Sequence, residues 1–435
     1  MTGMEIGAAT VAAMLILIYA GLHVGVALAL LSFVGVWAIR DNPIVALRLL
    51  GQAATNAISS YEFGVVPLFV LMGFLVSVAD IGKDAFDVAS RLLRRVKGGI
   101  GIATVAANTV FAAITGISIA SASVFTKVAV PEMLRLGYRA RFAVGVVAGS
   151  SVLGMLIPPS LLLILYGVIT EQSIGRLFIA GILPGLLLAF AYSVAIFVMA
   201  HKYPGFVGEP REPEDKGETT GELLVMIAPT VGLIALVLGG IYGGAFTPTE
   251  AGAVGALGTL ALALWRRKLS LASFWRVLVE TGHVTASILF LILAATMYSR
   301  MLALSGLSDA LGQAILASGL GFWGLLALYV VVVLLLGCIL DSSSIMLITV
   351  PLVLPSMIGF GIDLIWFGIV TVVAVEIGLL TPPFGISVFV IKATLDDRRV
   401  SLNDIFAGAM PFAAIMFVVL LILIAFPGIS TVLVR

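Results

Sequence analysis

Long apolar runs separated by short polar breaks extend along most of this chain. Most of them approach the length of about 20 residues that an α-helix needs to cross a bilayer. Hydrophobic residues make up 61% of the sequence and charged residues only 11%, too apolar a balance for a soluble protein. The pattern predicts an all-α polytopic membrane protein. The apolar segments lie near 5–20, 22–39, 64–79, 139–168, 177–200, 222–242, 250–265, 284–303, 363–393 and 403–426.

Two of these apolar runs carry a Pro-Pro pair in the middle. Residues 154–163 read GMLIPPSLLL, and residues 378–387 read GLLTPPFGIS. Proline lacks the N–H group that continues a helix, so each pair predicts a break at membrane depth. Irregular backbone persists there only where protein or a water-filled cavity surrounds it. The two broken helices, 139–168 and 363–393, are therefore candidates for a functional site.

An internal repeat relates the two halves of the chain. Shifting the first half by 224 positions (378 minus 154) superimposes the two Pro-Pro pairs without a gap. A series of matches in one register indicates a duplicated unit. We predict a first repeat at 1–200, a polar linker at 201–221 and a second repeat at 222–435. The same shift pairs Gly82 with Gly306, Pro131 with Pro355, Met133 with Met357 and Gly137 with Gly361.

Basic residues suggest how the two repeats are oriented. Segments 80–98 and 135–141 are rich in Lys and Arg, whereas their counterparts 304–320 and 359–365 contain neither. Because Lys and Arg favour cytoplasmic loops, we expect the first pair inside and the second pair outside. Matching segments on opposite sides predict an inverted-topology repeat. The linker and the basic residues of 266–268 and 396–399 are also expected inside.

Two further stretches, 99–134 and 321–357, are flanked on both ends by segments assigned to one side. We therefore expect each to enter the membrane and return as a re-entrant helical hairpin. The first turns near TGISIASAS, residues 115–123, and the second near DSSS, residues 341–344. Both turns are rich in hydroxyl side chains, where oxygen ligands and helix ends gather.

A hairpin tip that faces a Pro-Pro break would supply the carbonyl, hydroxyl and carboxylate oxygens that suit a hard cation such as Na⁺. Helix N-termini at the same breaks would favour an anionic substrate. We expect the first Na⁺ site at Gly116, Ser118, Ser121, Ser150, Gly154 and Pro158. We expect the second at Asp341, Ser342, Ser343, Gly378, Thr381 and Pro382. Substrate is expected at Ser123, Ser160, Ser344, Pro159, Pro383 and Gly385.

Structural roles compete with these assignments. Serines in membrane helices often bond back to their own backbone, and a Pro-Pro pair is also compatible with a simple kink. Asp341 is harder to explain structurally, because an acid at mid-membrane costs several kcal/mol unless it pairs or serves a pathway. Glu376 lies two residues before the second Pro-Pro stretch, which begins at Gly378, and it fits a structural or a functional role equally well. Glu250 is expected to cap the helix that follows Thr247.

Four stretches together resemble the DctM-like large membrane subunit of tripartite ATP-independent periplasmic (TRAP) transporters. The similarity covers essentially the whole chain. The stretches are GISIASASVFTKVAVPEMLRLGY (116–138), GMLIPPS (154–160), GAFTPTEAGAV (244–254), and the run from GCILDSSSIMLITVPLVLP (337–355) to EIGLLTPPFGISVFV (376–390).

The resemblance implies an elevator-type, sodium-driven importer of small organic acids in the bacterial inner membrane. It also implies two partners, a soluble periplasmic substrate-binding protein and a small four-helix membrane subunit. The first hairpin motif of the family usually opens Gly-Ser, whereas Ile117 follows Gly116 here. We therefore expect the first ion site to be weaker, or to rely on Ser118 and main-chain carbonyls. No P-loop is present, so we expect no ATP hydrolysis in this chain.

Other functions remain open on the sequence alone. A single-component carboxylate carrier, coupled to sodium or to protons through Asp341 and Glu376, would share most of these features. An intramembrane protease is disfavoured, because the chain has neither HExxH nor a GxGD context around its acids. A scaffold would not need paired hairpins, and a net charge of +1 disfavours nucleic acid as a partner. The identity of the organic acid is not encoded in these motifs.

Overall fold

In the computed structural model, every described element is helical. The structure describes residues 1–209, 219–317, 319, 321–383, 385–395 and 400–434. The charged centre of the predicted linker and segment 396–399 therefore lie outside the described residues. Within the described part, the β-type pairing is confined to one isolated bridge between Tyr138 and Gly208.

The first half of the chain begins with three helices, continues through a bent pair and a hairpin, and ends with a broken helix and a long helix. Their bounds are α1 Gly3–Tyr19, α2 Val24–Arg40, α3 Pro43–Ile58, α4 Val65–Val78, α5 Ile81–Leu92, α6 Gly99–Thr115, α7 Ser118–Arg135, α8 Ala140–Ser151, α9 Leu153–Leu156, α10 Leu161–Thr170, α11 Ile174–Lys202 and the short α12 Pro204–Val207. A 3₁₀ turn, Tyr61–Gly64, precedes α4.

The second half repeats this order with one fusion, since a single long helix stands where the first half has α3 and α4. The bounds are α13 Thr220–Tyr242, α14 Pro248–Trp265, α15 Leu271–Ser305, α16 Leu307–Ala317, α17 Gly321–Gly337, α18 Ser342–Gly359, α19 Leu364–Gly378, α20 Ile386–Thr394, α21 Leu402–Ala425 and α22 Gly428–Thr431.

Helix starts coincide at a shift of 224 positions in several places. Thus α2 begins at Val24 and α14 at Pro248, while α7 begins at Ser118 and α18 at Ser342. Helices of one half also pack on helices of the other half, since α2 packs on α15 and α14 packs on α4. Similarly, α10 packs on α18 and α20 packs on α7.

Local sequence explains where many helices start. Capping boxes, in which a hydroxyl and a side chain three residues later satisfy exposed N–H groups, open several helices. In α14 the Thr247 Oγ1 accepts from the Glu250 backbone N–H at 3.3 Å and Glu250 Oε2 accepts from the Thr247 N–H at 2.8 Å. Glu250 therefore has the capping role expected from the sequence. The other capping boxes begin at Thr2, Thr219, Ser270 and Ser401.

The chain is a multi-pass membrane protein by the length and apolarity of its helices. Six described helical segments are long and apolar enough to cross a bilayer, or seven if the bent pair α4 and α5 counts as one span. The span Ala140–Thr170 contains the first break, and 89% of the most apolar 18-residue stretch of this span is buried. The corresponding share for Gly221–Tyr242 is 17%. Protein therefore encloses the first break on nearly all sides, as irregular backbone at membrane depth requires.

Polar contacts gather the segments that the sequence assigns to the cytoplasmic side. Arg266 forms an ion pair with Asp84, and Lys268 Nζ lies 2.9 Å from an Asp80 carboxylate oxygen. The start of the linker lies beside segment 135–141, where the Arg139 N–H donates to the Val207 carbonyl at 2.9 Å. These contacts pair segment 80–98 with 266–268, and segment 135–141 with the start of the linker, so each pair consists of neighbours.

Helices with a mixed surface were missed by the apolar pattern. The predicted apolar segments did not include 43–58, 80–98 or 304–320, where α3, α5 and α16 lie. The helix expected at 284–303 starts earlier, at Leu271, where Ser270 caps it. A window that selects continuous apolar runs overlooks amphipathic helices, whose apolar residues occupy only one face.

Candidate functional site

The tip of the first hairpin, α6 and α7, is a two-residue break. Gly116 ends α6 in the left-handed conformation, with φ of 65°, and Ile117 is extended. Ile117 cannot cap α7, so the first N–H groups of that helix receive no side-chain acceptor. The Ser118 and Ser121 hydroxyls are fully buried and make no hydrogen bond. This tip therefore presents buried oxygens that lack a partner.

The first broken helix lies directly against this tip. A Cβ on Gly154 would lie 3.0 Å from the Ile117 carbonyl oxygen, so the two backbones touch only because residue 154 is glycine. The Leu161 N–H, at the start of α10, donates to the Gly116 carbonyl at 3.1 Å. A Cβ on Gly116 would lie 2.3 Å from the Pro159 carbonyl oxygen. Hairpin tip and Pro-Pro break thus form one closely packed unit.

Ser150 and Ser160 are already engaged in hydrogen bonds. Asn108 Nδ2, from α6, donates to Ser150 Oγ at 2.7 Å, and Ser150 Oγ donates to the Val146 carbonyl at 2.7 Å. Ser160 caps α10 by accepting from the Leu163 N–H and donates to the Met155 carbonyl. Ser123 is half-buried, one turn beyond the tip. Asn108 was not among the residues expected at the site, although an amide in an apolar helix is a recognisable signal.

The tip of the second hairpin, α17 and α18, is capped where the first is not. Asp341 Oδ2 accepts from the Ser344 N–H at 3.1 Å, and Asp341 Oδ1 accepts from the Ser344 hydroxyl. Ser344 is therefore occupied by the cap, Ser343 is half-buried, and Ser342 is buried. Asp341 is the residue that stands 224 positions after Ile117, so the two tips differ in charge at the same point.

The second broken helix contacts the other arm of its hairpin. A Cβ on Gly378 would lie 2.5 Å from the Gly337 Cα at the end of α17, another close backbone approach. Thr381 Oγ1 donates to the Gly378 carbonyl at 2.8 Å and lies 3.2 Å from Cys338 Sγ. Gly385, with φ of 48°, starts α20.

The two Pro-Pro breaks differ in solvent exposure. Pro158 and Pro159 are buried, whereas Pro382 and Pro383 are exposed in the chain. Both Pro-Pro peptide bonds are cis. The two candidate sites therefore have the same architecture and different access to their surroundings.

One carboxylate lies between the candidate sites. Glu376, on α19, is fully buried, and its Oε1 accepts from the Ser342 hydroxyl at 2.9 Å. Its Oε2 makes no hydrogen bond. The Ser118 side chain, at the other hairpin tip, lies close enough to interact with the same carboxyl group. The sequence assigned Glu376 only a supporting role and gave no indication that it reaches either tip.

Oxygen atoms dominate both candidate sites. In the described part of the chain, no three His, Cys, Asp or Glu side chains form a group that could hold a metal ion. Hydroxyl, carbonyl and isolated carboxylate oxygens remain, and these suit hard monovalent cations better than transition metals.

Comparison with known proteins identifies the family. Residues 11–429 match the family described as tripartite ATP-independent periplasmic transporter, DctM component. The chain is 33% identical to the C4-dicarboxylate TRAP transporter large permease protein DctM of Pseudomonas aeruginosa, over 89% of this chain and 90% of that protein. It is 30% identical to the sialic acid TRAP transporter large permease protein SiaM of Vibrio cholerae, over 96% of each.

The fold also resembles a solved structure. The YdaH transporter of Alcanivorax borkumensis superimposes with a TM-score of 0.61 at 14% identity, covering 89% of this chain and 90% of that chain. At this identity the likeness concerns the fold alone. Since the family match spans nearly all residues, the chain belongs to the DctM component family of tripartite ATP-independent periplasmic transporters, and it is a transporter subunit rather than an enzyme.

Proposed function

We propose that this chain is the large permease subunit of a sodium-coupled secondary transporter that imports small organic acids. In this proposal it works in the bacterial inner membrane with a small four-helix membrane subunit and a periplasmic substrate-binding protein. Relatives named for C4-dicarboxylate and for sialic acid support an acidic cargo. The observation that carries the proposal is the pair of hairpin tips packed against Pro-Pro breaks, with unpaired buried hydroxyls at the first.

An inverted repeat is supported by two independent features. The helices of the two halves correspond at the 224-position shift, and their contacts exchange between halves. The Lys and Arg of segments 80–98 and 135–141, absent from the matching segments, favour opposite orientations. Opposite orientations make each hairpin re-entrant from its own side of the membrane.

The first hairpin tip suits a sodium ion because it contains buried hydroxyl oxygens without a hydrogen-bond partner. The Ser118 and Ser121 hydroxyls are one helical turn apart on α7, and Gly116 and Ile117 add carbonyl groups at the break. Ser150 has its hydroxyl engaged, so it supports the site through Asn108. At the second tip, the Asp341 carboxylate supplies the charge that the first tip lacks, and Thr381 lies on the facing break.

An anionic substrate is favoured at the uncapped end of α7. Helix N-termini attract anions through free N–H groups and the helix dipole. The N-terminus of α18 is already occupied by Asp341, whereas that of α7 has no side-chain cap. Ser123 and Ser160 border the first tip, and Ser344, Pro383 and Gly385 border the second.

The hairpins and broken helices form the body that moves in an elevator mechanism. Each broken helix continues into a segment that packs on the hairpin of the opposite half, α10 on α18 and α20 on α7. These cross-contacts tie the four elements into one unit. Each sodium ion that enters down an inside-negative potential contributes about 2.3 kcal/mol per 100 mV, which can drive an acid uphill.

Uptake by proteoliposomes that contain this chain and the small subunit tests the proposal. We expect labelled organic acid to accumulate only with a sodium gradient and the cognate binding protein together. Accumulation without the binding protein would instead establish the single-component carrier. Accumulation driven by a proton gradient in sodium-free buffer would replace sodium as the coupling ion.

A further inference from the structure

Glu376 stands at the starts of two helices that occupy matching positions in the two halves. Ser342 is the first residue of α18, and Ser118, 224 positions earlier (342 minus 118), is the first residue of α7. Glu376 Oε1 accepts from the Ser342 hydroxyl, and the Ser118 side chain lies near the same carboxyl group. One side chain therefore adjoins both hairpin tips.

The surroundings of this carboxylate are polar but incompletely paired. Glu376 Oε2, Ser118 Oγ and the hydroxyl of Tyr192, on α11, are all buried, and none of them makes a hydrogen bond of ordinary length and angle. Ser118 is nevertheless near enough to the Glu376 carboxyl group to interact with it. Tyr192 is close enough to Glu376 for electrostatic interaction. Buried polar atoms in native structures are normally satisfied, so a group of unpaired ones calls for a functional reason.

The position is specific to the second half. The residue 224 positions before Glu376 is Val152, which follows α8 within the first broken helix. Among the described residues, Glu376 is therefore a carboxylate that adjoins both tips and has an apolar residue at the matching position of the first half. A purely local role in holding the second break would give no reason for contact with the first tip.

Two cations bound at the two tips repel each other, and in a medium of low dielectric this repulsion is substantial. A carboxylate between them attracts both and offsets the repulsion. The Ser118 hydroxyl is a candidate ligand of the first ion, and Ser342 is hydrogen-bonded to Glu376 at the second tip. When an ion binds and orders one hairpin tip, Glu376 therefore transmits the change to the other hairpin tip.

We propose that Glu376 is a positioning residue that couples the two sodium sites, so that occupancy of one raises the affinity of the other. This inference rests on the proposed function and specifies how its two ion sites cooperate. Couplings of this kind change affinity about 5–150-fold. Sodium-dependent uptake by the wild-type complex should then show a Hill coefficient above one.

The test uses the complete reconstituted complex, with choline replacing sodium at constant ionic strength. Glu376→Gln keeps the size of the side chain and an acceptor for Ser342 but removes the charge. We expect the Hill coefficient to fall to about one and half-saturating sodium to rise about tenfold. Thr371→Val, on the same helix, removes a buried hydroxyl that pairs with Tyr329 away from the tips, and should leave the Hill coefficient unchanged.

A second set of variants changes the neighbours of the carboxylate instead of its charge. Ser342→Ala and Ser118→Ala keep the carboxylate and remove its neighbours at either tip. Their effects on half-saturating sodium should be non-additive with Glu376→Gln, as for residues in one network. The thermal midpoint of each purified complex, measured against sodium concentration, provides a readout that requires no transport.

The outcomes separate this inference from the proposed function. A wild-type complex that shows no sodium response would overturn both. Sodium-dependent uptake with a Hill coefficient of one in the wild type, or an unchanged coefficient above one in Glu376→Gln, would overturn the coupling role and leave the sodium transporter standing. Loss of cooperativity in Glu376→Gln with the Thr371→Val control unaffected would support it.

Discussion

Asn108 Nδ2 donates a hydrogen bond to Ser150 Oγ at 2.7 Å and thereby joins the first arm of hairpin one to the helix that leads into the first break. Both residues are fully buried. The hydrogen bond fixes the relative position of the two elements that form the first candidate site.

Replacing Asn108 by Leu should destabilise the protein without preventing its assembly. The substitution keeps the branched shape of the side chain, with a larger volume, and removes the donor to Ser150. Because interhelical hydrogen bonds in membrane proteins contribute about 0.6 to 2 kcal/mol, we expect a loss of that order, seen as a lower thermal midpoint of the purified complex. Thr109→Val, whose hydroxyl bonds only to the Val105 carbonyl of its own helix, is the matched control. Equal midpoints for the two variants would show that the Asn108 bond contributes nothing.

Asp341→Asn should abolish or severely slow sodium-driven uptake while the complex still assembles. An Asn side chain can still accept from the Ser344 N–H and cap α18, so the change removes charge rather than the helix start. Uptake is measured at several sodium concentrations. Asp363→Asn is the matched control, because it makes the same change at the N-cap of α19, where Asp363 Oδ1 accepts from the Ile365 N–H at 2.9 Å. Near-normal sodium dependence in Asp341→Asn would eliminate the second ion site.

Gly154→Ala should impair transport by displacing the first hairpin tip. The added methyl group would lie 3.0 Å from the Ile117 carbonyl oxygen and 3.1 Å from the Ser118 backbone nitrogen, so the tip must shift. We expect half-saturating sodium to rise several-fold, measured by initial rates of uptake. At Gly232, on α13, a Cβ meets nothing within 4 Å, and Gly232→Ala should be neutral. An unaffected sodium response in Gly154→Ala would mean that the tip does not bind the ion.

The orientation of the two halves can be tested by cysteine labelling. The single Cys338 is first replaced by Ser, which preserves its hydrogen-bonding capacity. Lys83→Cys on α5 and Gln313→Cys on α16 then place exposed thiols on corresponding segments. An impermeant maleimide applied to the periplasmic side should label the Gln313→Cys variant, and should reach the Lys83→Cys variant only after the membrane is opened. Labelling of both from one side would rule out the inverted repeat.

Sequence patterns predicted the family and much of the helix framework, because membrane helices are marked by long apolar runs and their breaks by proline. The ends of the hairpin helices lie within two residues of the predicted 99–134 and 321–357. Amphipathic helices such as α3 and α5 were not predicted, since only one of their faces is apolar.

Side-chain partners at the site were less accessible to sequence reasoning. Ser150, Ser160 and Ser344 looked like free ligands, but each is engaged by a neighbour that proximity in the fold supplies. The contact between Glu376 and Ser342 joins residues 34 positions apart on different helices. Helical periodicity says which face a residue occupies on its own helix and cannot say which other helix lies opposite.

The single carboxylate at Glu376 has a consequence for the origin of the molecule. Two identical polypeptides meeting around a symmetry axis would contribute two such acids or none, and two adjacent negative charges in a dry interior would repel each other. A lone acid that adjoins both tips, with Val152 at the matching position, requires two halves that differ in sequence at this point. Covalent fusion thus allows an asymmetric centre that no homodimer of half-length chains could form.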